Sequence, residues 1–167
     1  MPELVLVEGP VGAGKSTHCI ELAGTTGGVP IALDQWFTRL FSPDRPAEEV
    51  IRWYTEHKSR LVDLIWDHSL ALAAAGTLPI LELGLVQRQS RQDIYRRADD
   101  AGVKLRVIVL EAPREVRRER VARRNSDQGA TFSMTVPDAV FEMASDLWEP
   151  PDEFEIEERQ IETILTA

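Results

Sequence analysis

The sequence is poor in the residues that form disulfides and transition-metal sites. Its 167 residues include one cysteine, Cys19, and three histidines. A single cysteine excludes an internal disulfide and is typical of a reducing compartment. His18, His57 and His68 lack the spacing of metal ligands, so we interpret them as structural residues. Cys19 is interpreted as a small buried apolar residue.

Long apolar runs and an excess of positive charge are also absent. No apolar run approaches the roughly 20 residues that span a bilayer, and the first one, at residues 4–7, is too short for a signal peptide. We therefore expect a cytoplasmic protein with no membrane partner. The formal net charge of -9 disfavours extended nucleic acid as a partner, because the average field repels a polyanion. Six arginines between Arg114 and Arg124 nevertheless favour a confined anion site.

Short apolar runs alternate with stretches of helical periodicity. We predict strands at residues 4–7, 29–33, 78–83 and 105–110, and a weaker strand at 160–165. We predict helices at residues 15–23, 47–75, 90–101, 113–124 and 137–147. The polar segment 125–136 contains a glycine and predicts a mobile lid loop. The alternation predicts one domain over residues 1–167, an α/β fold with three α/β/α layers around a mainly parallel sheet.

The residues after the first predicted strand match the phosphate-binding pattern G-x-x-x-x-G-K-[ST]. Its glycines let backbone N–H groups wrap around phosphates at the start of a helix. Lys15 is expected to reach the β- and γ-phosphates, and the Ser16 hydroxyl to bind Mg²⁺. The position between a buried strand and a helix argues against a chance glycine-rich turn. The predicted nucleotide-binding residues are Gly9, Pro10, Val11, Gly12, Ala13, Gly14, Lys15, Ser16 and Thr17.

Two carboxylates lie where predicted strands end, the edge at which parallel sheets bind ligands. Asp34 directly follows the second strand, and it is either a functional carboxylate or a helix N-cap or turn residue. Glu82 lies in the apolar third strand, where P-loop proteins usually keep an acidic residue that orients Mg²⁺ and its waters. Because Glu82 stands in place of the usual aspartate, its longer side chain has three alternative partners: the Mg²⁺ ion itself, a magnesium-bound water, or the substrate.

Taken in order, these motifs resemble P-loop kinases related to chloramphenicol phosphotransferase, zeta toxins and the kinase domain of polynucleotide kinases. The chain is most similar to the short bacterial ATP-binding proteins of that group, which are often named AAA-family ATPases. The resemblance covers nearly the whole chain. Besides the phosphate loop, it rests on Leu33-Asp34-Gln35-Trp36, on Leu81-Glu82-Leu83-Gly84 with Arg88 and Arg91, on Arg120-Val121-Ala122-Arg123-Arg124-Asn125, and on Trp148-Glu149-Pro150-Pro151-Asp152-Glu153.

The resemblance implies a nucleoside-kinase-like fold with a short lid. It also implies that ATP and Mg²⁺ are used to move the γ-phosphate onto a hydroxyl of a small molecule, a metabolite or an antibiotic. Asp34 would be the general base, with Lys15 at the phosphates. Arg120 and Arg124 would be lid arginines that neutralise the departing phosphoryl group, and Arg120 would also contact the nucleotide. The expected acceptor-side residues are Asp34, Trp36, Arg39, Glu82 and Arg88.

Several of these residues have structural alternatives. Trp36 and Phe37 are candidates for the wall of an acceptor pocket and are equally suited to core packing. Arg39, Arg88 and Arg91 are candidates for contacts with the acceptor or the phosphates and are about equally suited to the surface. The remaining arginines of the cluster are expected to be solvated or paired with Glu115 and Glu119; they are Arg114, Arg117, Arg118 and Arg123.

Other functions stay open at this point. One is a nucleotide-binding ATPase or switch that acts with a protein partner, although the sequence has no guanine-selecting N-K-x-D motif. Another is a kinase of nucleic-acid ends, which the net charge disfavours. A nucleoside monophosphate kinase is a further alternative, for which no acceptor arginines can be assigned.

Overall fold

All of the strands belong to one parallel sheet. The computed structural model describes residues 1–167, and its strands are β1 (Glu3–Glu8), β2 (Val29–Ala32), β3 (Pro79–Glu82), β4 (Lys104–Glu111) and β5 (Glu162–Leu165). They lie in the order β2-β3-β1-β4-β5, and every neighbouring pair is parallel. β1 is central, and its residues Leu4 to Val7 are almost fully buried because both faces of the sheet are covered.

Helices cover both faces of the sheet. They are α1 (Lys15–Thr26), α2 (Leu33–Leu40), α3 (Val50–Ala74), α4 (Arg88–Ala101), α5 (Arg114–Asp127), α6 (Asp138–Leu147) and α7 (Glu153–Arg159). Successive residues of β1 serve different cores, as a strand requires. Leu4 and Leu6 pack in the larger core, with residues of α3 and α4. Val5 and Val7 pack in the smaller core, with Cys19 of α1. The predicted three-layer α/β/α architecture is thus confirmed.

The structure has two helices that the sequence analysis did not predict. The second strand was extended to Leu33, but a helix begins there and buries Leu33 and Phe37, four residues apart. Phe37 therefore packs in the core and cannot wall an acceptor pocket. No element was predicted between residue 147 and the strand at 160–165, yet this segment contains α7. Asp152 caps that helix by accepting a hydrogen bond from the backbone N–H of Glu155 at 2.8 Å.

A buried ion pair fastens α7 to α4. The Arg91 guanidinium donates to both carboxylate oxygens of Glu155, at 2.7 and 3.0 Å, and the Tyr95 hydroxyl donates to the same carboxylate at 2.9 Å. Both charged side chains are fully buried. Neither a surface role nor an acceptor contact therefore describes Arg91. Since a buried charge without its partner is strongly unfavourable, this pair fixes where the C-terminal segment docks.

No helix of the chain is both long enough and apolar enough to cross a membrane.

Candidate functional site

The phosphate-binding loop fits tightly between β4 and α5. A Cβ atom at Gly9 would lie 2.4 Å from the Leu110 carbonyl oxygen, and one at Gly12 would lie 2.7 Å from the Arg117 carbonyl oxygen. Gly12 also has a positive φ of 80°, which side chains other than glycine rarely adopt. These two glycines let the loop pack closely against β4 and α5 and lead the chain into α1. Backbone N–H groups therefore gather at the start of that helix.

Eight of the predicted site residues line one cleft of about 190 Å³ above this loop. We call it the phosphate cleft, and these residues are Gly12, Gly14, Lys15, Ser16, Thr17, Glu82, Arg120 and Arg124. The Lys15 ammonium donates to the carbonyl oxygens of Gly9 and Pro10, at 2.9 and 3.0 Å. It thus lies within the loop, where a phosphate would be cradled.

Ser16 and Glu82 are hydrogen-bonded to each other in the lining of the phosphate cleft. The Ser16 hydroxyl lies 3.0 and 2.9 Å from the two Glu82 carboxylate oxygens. Burial raises the pKa of Glu82, the charge of Asp34 adds to this effect, and Lys15, Ser16 and Arg124 oppose it. A hydroxyl and a carboxylate are hard ligands of the kind Mg²⁺ uses beside phosphates, so these residues fit that ion. No cluster of three or more His, Cys, Asp or Glu side chains forms a metal site elsewhere.

The arginines of α5 have different environments. Arg117, expected to be solvated or paired with a nearby glutamate, is buried and donates to the Val11 carbonyl oxygen of the loop at 3.0 Å. That expectation was wrong, because the residue supports the phosphate loop from behind. Arg118 pairs with Glu115 as expected. Arg114 does not, since its partners are Glu142 and Asp146 of α6.

Arg120 and Arg124 both line the phosphate cleft but at different places. Arg120 donates to the Thr166 hydroxyl at 2.9 Å and lies 3.4 Å from the Gly12 carbonyl oxygen, at the outer rim of the loop. Arg124 is close enough to Glu82 to lower its pKa, and its buried Nε has no hydrogen-bond partner. Arg124 is therefore the arginine with free donors beside the oxygen ligands.

The predicted lid begins later than expected. α5 continues to Asp127 and ends at Gln128, which has a φ of 47°, so the irregular segment covers residues 128–137 rather than 125–136. Asn125 closes its base, because its side chain donates to the Val136 carbonyl oxygen at 2.8 Å and accepts from the Val136 N–H at 3.0 Å. Thr131 of this segment lines the phosphate cleft.

A second cleft of about 330 Å³ lies beside the first, between α3 and the β3–α4 connection with α4. We call it the α3–α4 cleft, and its lining includes Tyr54, Lys58, Ser59, Gly84, Ser90 and Arg97. Asp34 lines neither cleft, but its charge acts on residues of both. Burial raises the pKa values of Tyr54 and Glu82, and the charge of Asp34 adds to both effects. Burial lowers the pKa of Lys58, and the charge of Asp34 opposes that effect.

Asp34 is exposed in the first turn of α2 and does not cap that helix. The N-cap position is Ala32, and no side chain bonds the helix start there. The N-cap alternative for Asp34 is therefore wrong. The structure leaves a carboxylate free at the carboxyl end of β2, the edge at which ligands of parallel sheets bind.

The other expected acceptor-side residues are not gathered at this place. Trp36 is half-buried against the larger core, with its ring 6.2 Å from that of His68. Arg39 is exposed in the last turn of α2. Arg88 pairs with Asp152 and lines neither cleft. Cys19 is buried, as expected, and burial raises the pKa of its thiol to about 12.

Two functional candidates, Glu8 and Lys58, were missed. Both act on the peptide group that joins Gly84 to Leu85. The Lys58 ammonium donates to its carbonyl oxygen at 2.8 Å, and a Glu8 carboxylate oxygen accepts from its N–H at 3.0 Å. The sequence contained a signal for Glu8, because it is a charged residue directly after the apolar run at residues 4–7. For Lys58 the signal was its helical spacing with the apolar residues Tyr54 and Leu61.

Glu8 is expected to make the stability of the fold depend on pH. Burial raises the pKa of its carboxyl to about 8, although Lys15, Lys58 and Arg91 pull it down. The unfolded carboxyl ionises near its ordinary pKa of 4.5, whereas the folded one keeps its proton to about pH 8. Between these values the unfolded state loses the proton first, so rising pH should destabilise the fold.

We expect Glu8→Gln, a neutral variant of the same shape, to remove this pH dependence. Its stability advantage over the wild type should grow between about pH 5 and pH 8, to on the order of 3 kcal/mol. Urea unfolding across this range is the measurement, with Glu3→Gln at the other end of β1 as control. An advantage that stays constant with pH would mean that Glu8 is ionised in the fold.

Comparison with known proteins gave a family and a set of similar folds. A family model described as AAA domain matches residues 4–151. No curated protein matches. A gluconokinase from Sinorhizobium meliloti is 20% identical with a TM-score of 0.60, over 99% of this chain and 83% of that one. Kti12 from Chaetomium thermophilum, solved with ADP-AlF3, is 17% identical with a TM-score of 0.65, over 97% and 88%.

A third similar structure is the APS kinase CysC of Mycobacterium tuberculosis, solved with AMPPNP and APS. It is 15% identical with a TM-score of 0.60, over 98% of this chain and 87% of that one. At these identities the likeness shows the fold. Together with the family match, it confirms the predicted P-loop fold and the resemblance to the AAA-like group of P-loop proteins.

Proposed function

The chain belongs to the AAA domain family, and we propose that it is an ATP-dependent kinase that phosphorylates a hydroxyl of a small molecule. The observation that carries the proposal is Asp34, a free carboxylate just after β2 whose charge acts on residues of both the phosphate cleft and the α3–α4 cleft. A simple ATPase needs only the first cleft. A kinase needs both, with a proton acceptor where they meet.

On this proposal the phosphate loop binds the triphosphate of ATP. Backbone N–H groups and the start of α1 surround the phosphates, and Lys15 exchanges its bonds to the loop carbonyls for phosphate oxygens. Ser16 and Glu82 would hold Mg²⁺, which supplies positive charge between the β- and γ-phosphates. Arg120 closes the outer rim of the loop beside the nucleotide.

The acceptor hydroxyl would approach from the α3–α4 cleft. Asp34 accepts its proton while the hydroxyl oxygen forms a bond to the γ-phosphorus, and the bond from that phosphorus to the β–γ bridging oxygen breaks. The products are ADP and a phosphate ester. Arg124 would stabilise the negative charge that develops on the transferring phosphoryl group, since it lies near Glu82 and its Nε has no hydrogen-bond partner.

The test of the proposed function is a panel of hydroxyl metabolites, antibiotics and short oligonucleotides incubated with γ-labelled ATP. Label in a phosphate ester supports the kinase. Label that appears only as inorganic phosphate, at the same rate with every compound, would favour an ATPase instead. Label on the ends of oligonucleotides would identify a kinase of nucleic-acid ends.

Arg124→Ala should lower the transfer rate about 10- to 100-fold, the loss expected for one charge-assisted hydrogen bond. ATP affinity should change less, because the arginine acts mainly on charge that develops during transfer. Single-turnover transfer and equilibrium ATP binding are the measurements. Arg123→Ala is the control, since Arg123 is the exposed neighbour on α5 and lines neither cleft. Equal losses in the two variants would assign the effect to α5 as a whole.

A further inference from the structure

The α3–α4 cleft contains a cation that no carboxylate of the chain neutralises. Lys58 is half-buried, and its ammonium has no carboxylate oxygen within ion-pair distance. Its one hydrogen bond, to the Gly84 carbonyl oxygen, leaves further N–H donors unused. The Tyr54 ring lies 5.8 Å below it.

The other charges of this cleft are already neutralised. Arg97 donates to Asp63 of α3 at 2.7 Å, and Asp93 accepts from Arg96 and Gln89 of its own helix. The cleft therefore has one uncompensated charge, and it is positive.

Neutral hydrogen-bonding groups surround this charge. The hydroxyls of Tyr54, Ser59 and Ser90 line the cleft and make no hydrogen bond within the chain. A cleft that has free hydroxyls around one cation suits a ligand with several hydroxyls and one negative group.

Neither nearby acid removes the need for such a ligand. The Glu8 carboxyl accepts a hydrogen bond from the Leu85 N–H, on the opposite edge of the peptide group from the Gly84 carbonyl that Lys58 contacts. It keeps its proton near neutral pH, because burial raises its pKa to about 8. Asp34 is exposed, and on the proposed function it serves the reacting hydroxyl. Burial lowers the pKa of Lys58, so an anion in the cleft would stabilise its charged form.

We propose that Lys58 binds an anionic group of the acceptor, so that the substrate class is a small polyhydroxyl compound that carries a carboxylate or a phosphate. This inference rests on the proposed function for the transfer step, but the binding of the anion can be measured separately. Lys58 is a specificity residue in this scheme, and the reacting hydroxyl lies at the other end of the acceptor, toward Asp34.

The experiment uses acceptors that share a carbon skeleton and differ in whether one end is a neutral hydroxyl, a carboxylate or a phosphate. One set is glycerol, glycerate and glycerol phosphate; the other is sorbitol, gluconate and sorbitol phosphate. Binding is measured by titration calorimetry with a non-hydrolysable ATP analogue and Mg²⁺ present, and transfer is measured with γ-labelled ATP. The carboxylate and phosphate members of each set distinguish the two sources of charge.

Two variants separate charge from structure. Lys58→Gln retains a donor for the Gly84 carbonyl oxygen but has no charge, and Lys58→Met removes both. Lys104→Met is the control, since that lysine is exposed at the start of β4. The wild type should bind an anionic compound more tightly than its neutral counterpart. Both Lys58 variants should bind the anionic compound about 10- to 100-fold more weakly, measured as Kd or KM, and should bind the neutral compound as the wild type does.

The outcomes separate this inference from the proposed function. Anion binding that depends on Lys58 without any transfer would support the anion subsite and contradict the kinase. The subsite would be overturned if neutral compounds bound as tightly as anionic ones or if no anionic compound bound. It would also be overturned if Lys58→Gln bound the anionic compounds as tightly as the wild type, which is full rescue. Full rescue would mean that Lys58 only holds the β3–α4 connection.

Discussion

Lys15→Ala is expected to lower the rate of phosphate transfer about 10²- to 10³-fold, the range for removing one positive donor from a reacting centre. The structure places the Lys15 ammonium 2.9 and 3.0 Å from the carbonyl oxygens of Gly9 and Pro10, inside the loop. Alanine leaves the backbone N–H groups in place but removes the cation that faces the β- and γ-phosphates. ATP affinity should fall as well, because this charge also acts in the ground state.

The measurements are single-turnover transfer, equilibrium binding of ATP and thermal unfolding. Lys104→Ala is the matched control, because the same substitution is made at an exposed lysine that pairs with Glu3. Transfer and ATP affinity at wild-type levels in Lys15→Ala would overturn the phosphate-loop assignment. Loss of the fold along with activity would show instead that the bonds of Lys15 to the loop carbonyls are needed for stability.

The parts of the site that are local in sequence were predictable. The phosphate loop, the strand that precedes it and the helix that follows it span fewer than 30 residues, and pattern and spacing define them. The placement of Asp34 and Glu82 at one edge of the sheet was predictable for a related reason, because strand ends in a parallel sheet share one edge; Asp34 follows β2 and Glu82 ends β3. The predicted boundaries of β1, α3 and α4 lie within a few residues of those observed.

The parts that depend on distant partners were not predictable. Periodicity assigns a residue to a face of a helix but does not identify what packs there. Arg117 appeared to be one of several charged residues on a polar helix, and its partner, the Val11 carbonyl oxygen, lies 106 residues away. Glu155 lies in a segment for which the sequence predicted no element, and its partner Arg91 lies 64 residues away. In each case a polar side chain is buried because a specific partner satisfies it.

Asp34→Asn should lower the transfer rate by roughly 10²- to 10⁴-fold, the usual contribution of a positioned general base. Asparagine keeps the shape of the side chain but cannot accept the hydroxyl proton. ATP affinity should stay nearly unchanged, because Asp34 does not line the phosphate cleft. Single-turnover transfer and nucleotide binding are measured on the same preparations, with Asp67→Asn as control, an exposed aspartate of α3.

Thermal unfolding distinguishes catalysis from structure in Asp34→Asn. Asp34 lies in the first turn of α2 and makes no capping hydrogen bond, so the variant should lose only the favourable interaction of a carboxylate with the helix dipole, about 0.3–1 kcal/mol. Burial lowers the pKa of Lys58 and the charge of Asp34 opposes this, so removal of that charge should lower the pKa further and weaken anion binding in the α3–α4 cleft at alkaline pH. A small stability loss with a large transfer loss is therefore the expected combination. Near wild-type transfer would remove Asp34 from the mechanism, and the proton acceptor would have to be sought among the other carboxylates at the strand ends, of which Glu82 is the one in the phosphate cleft.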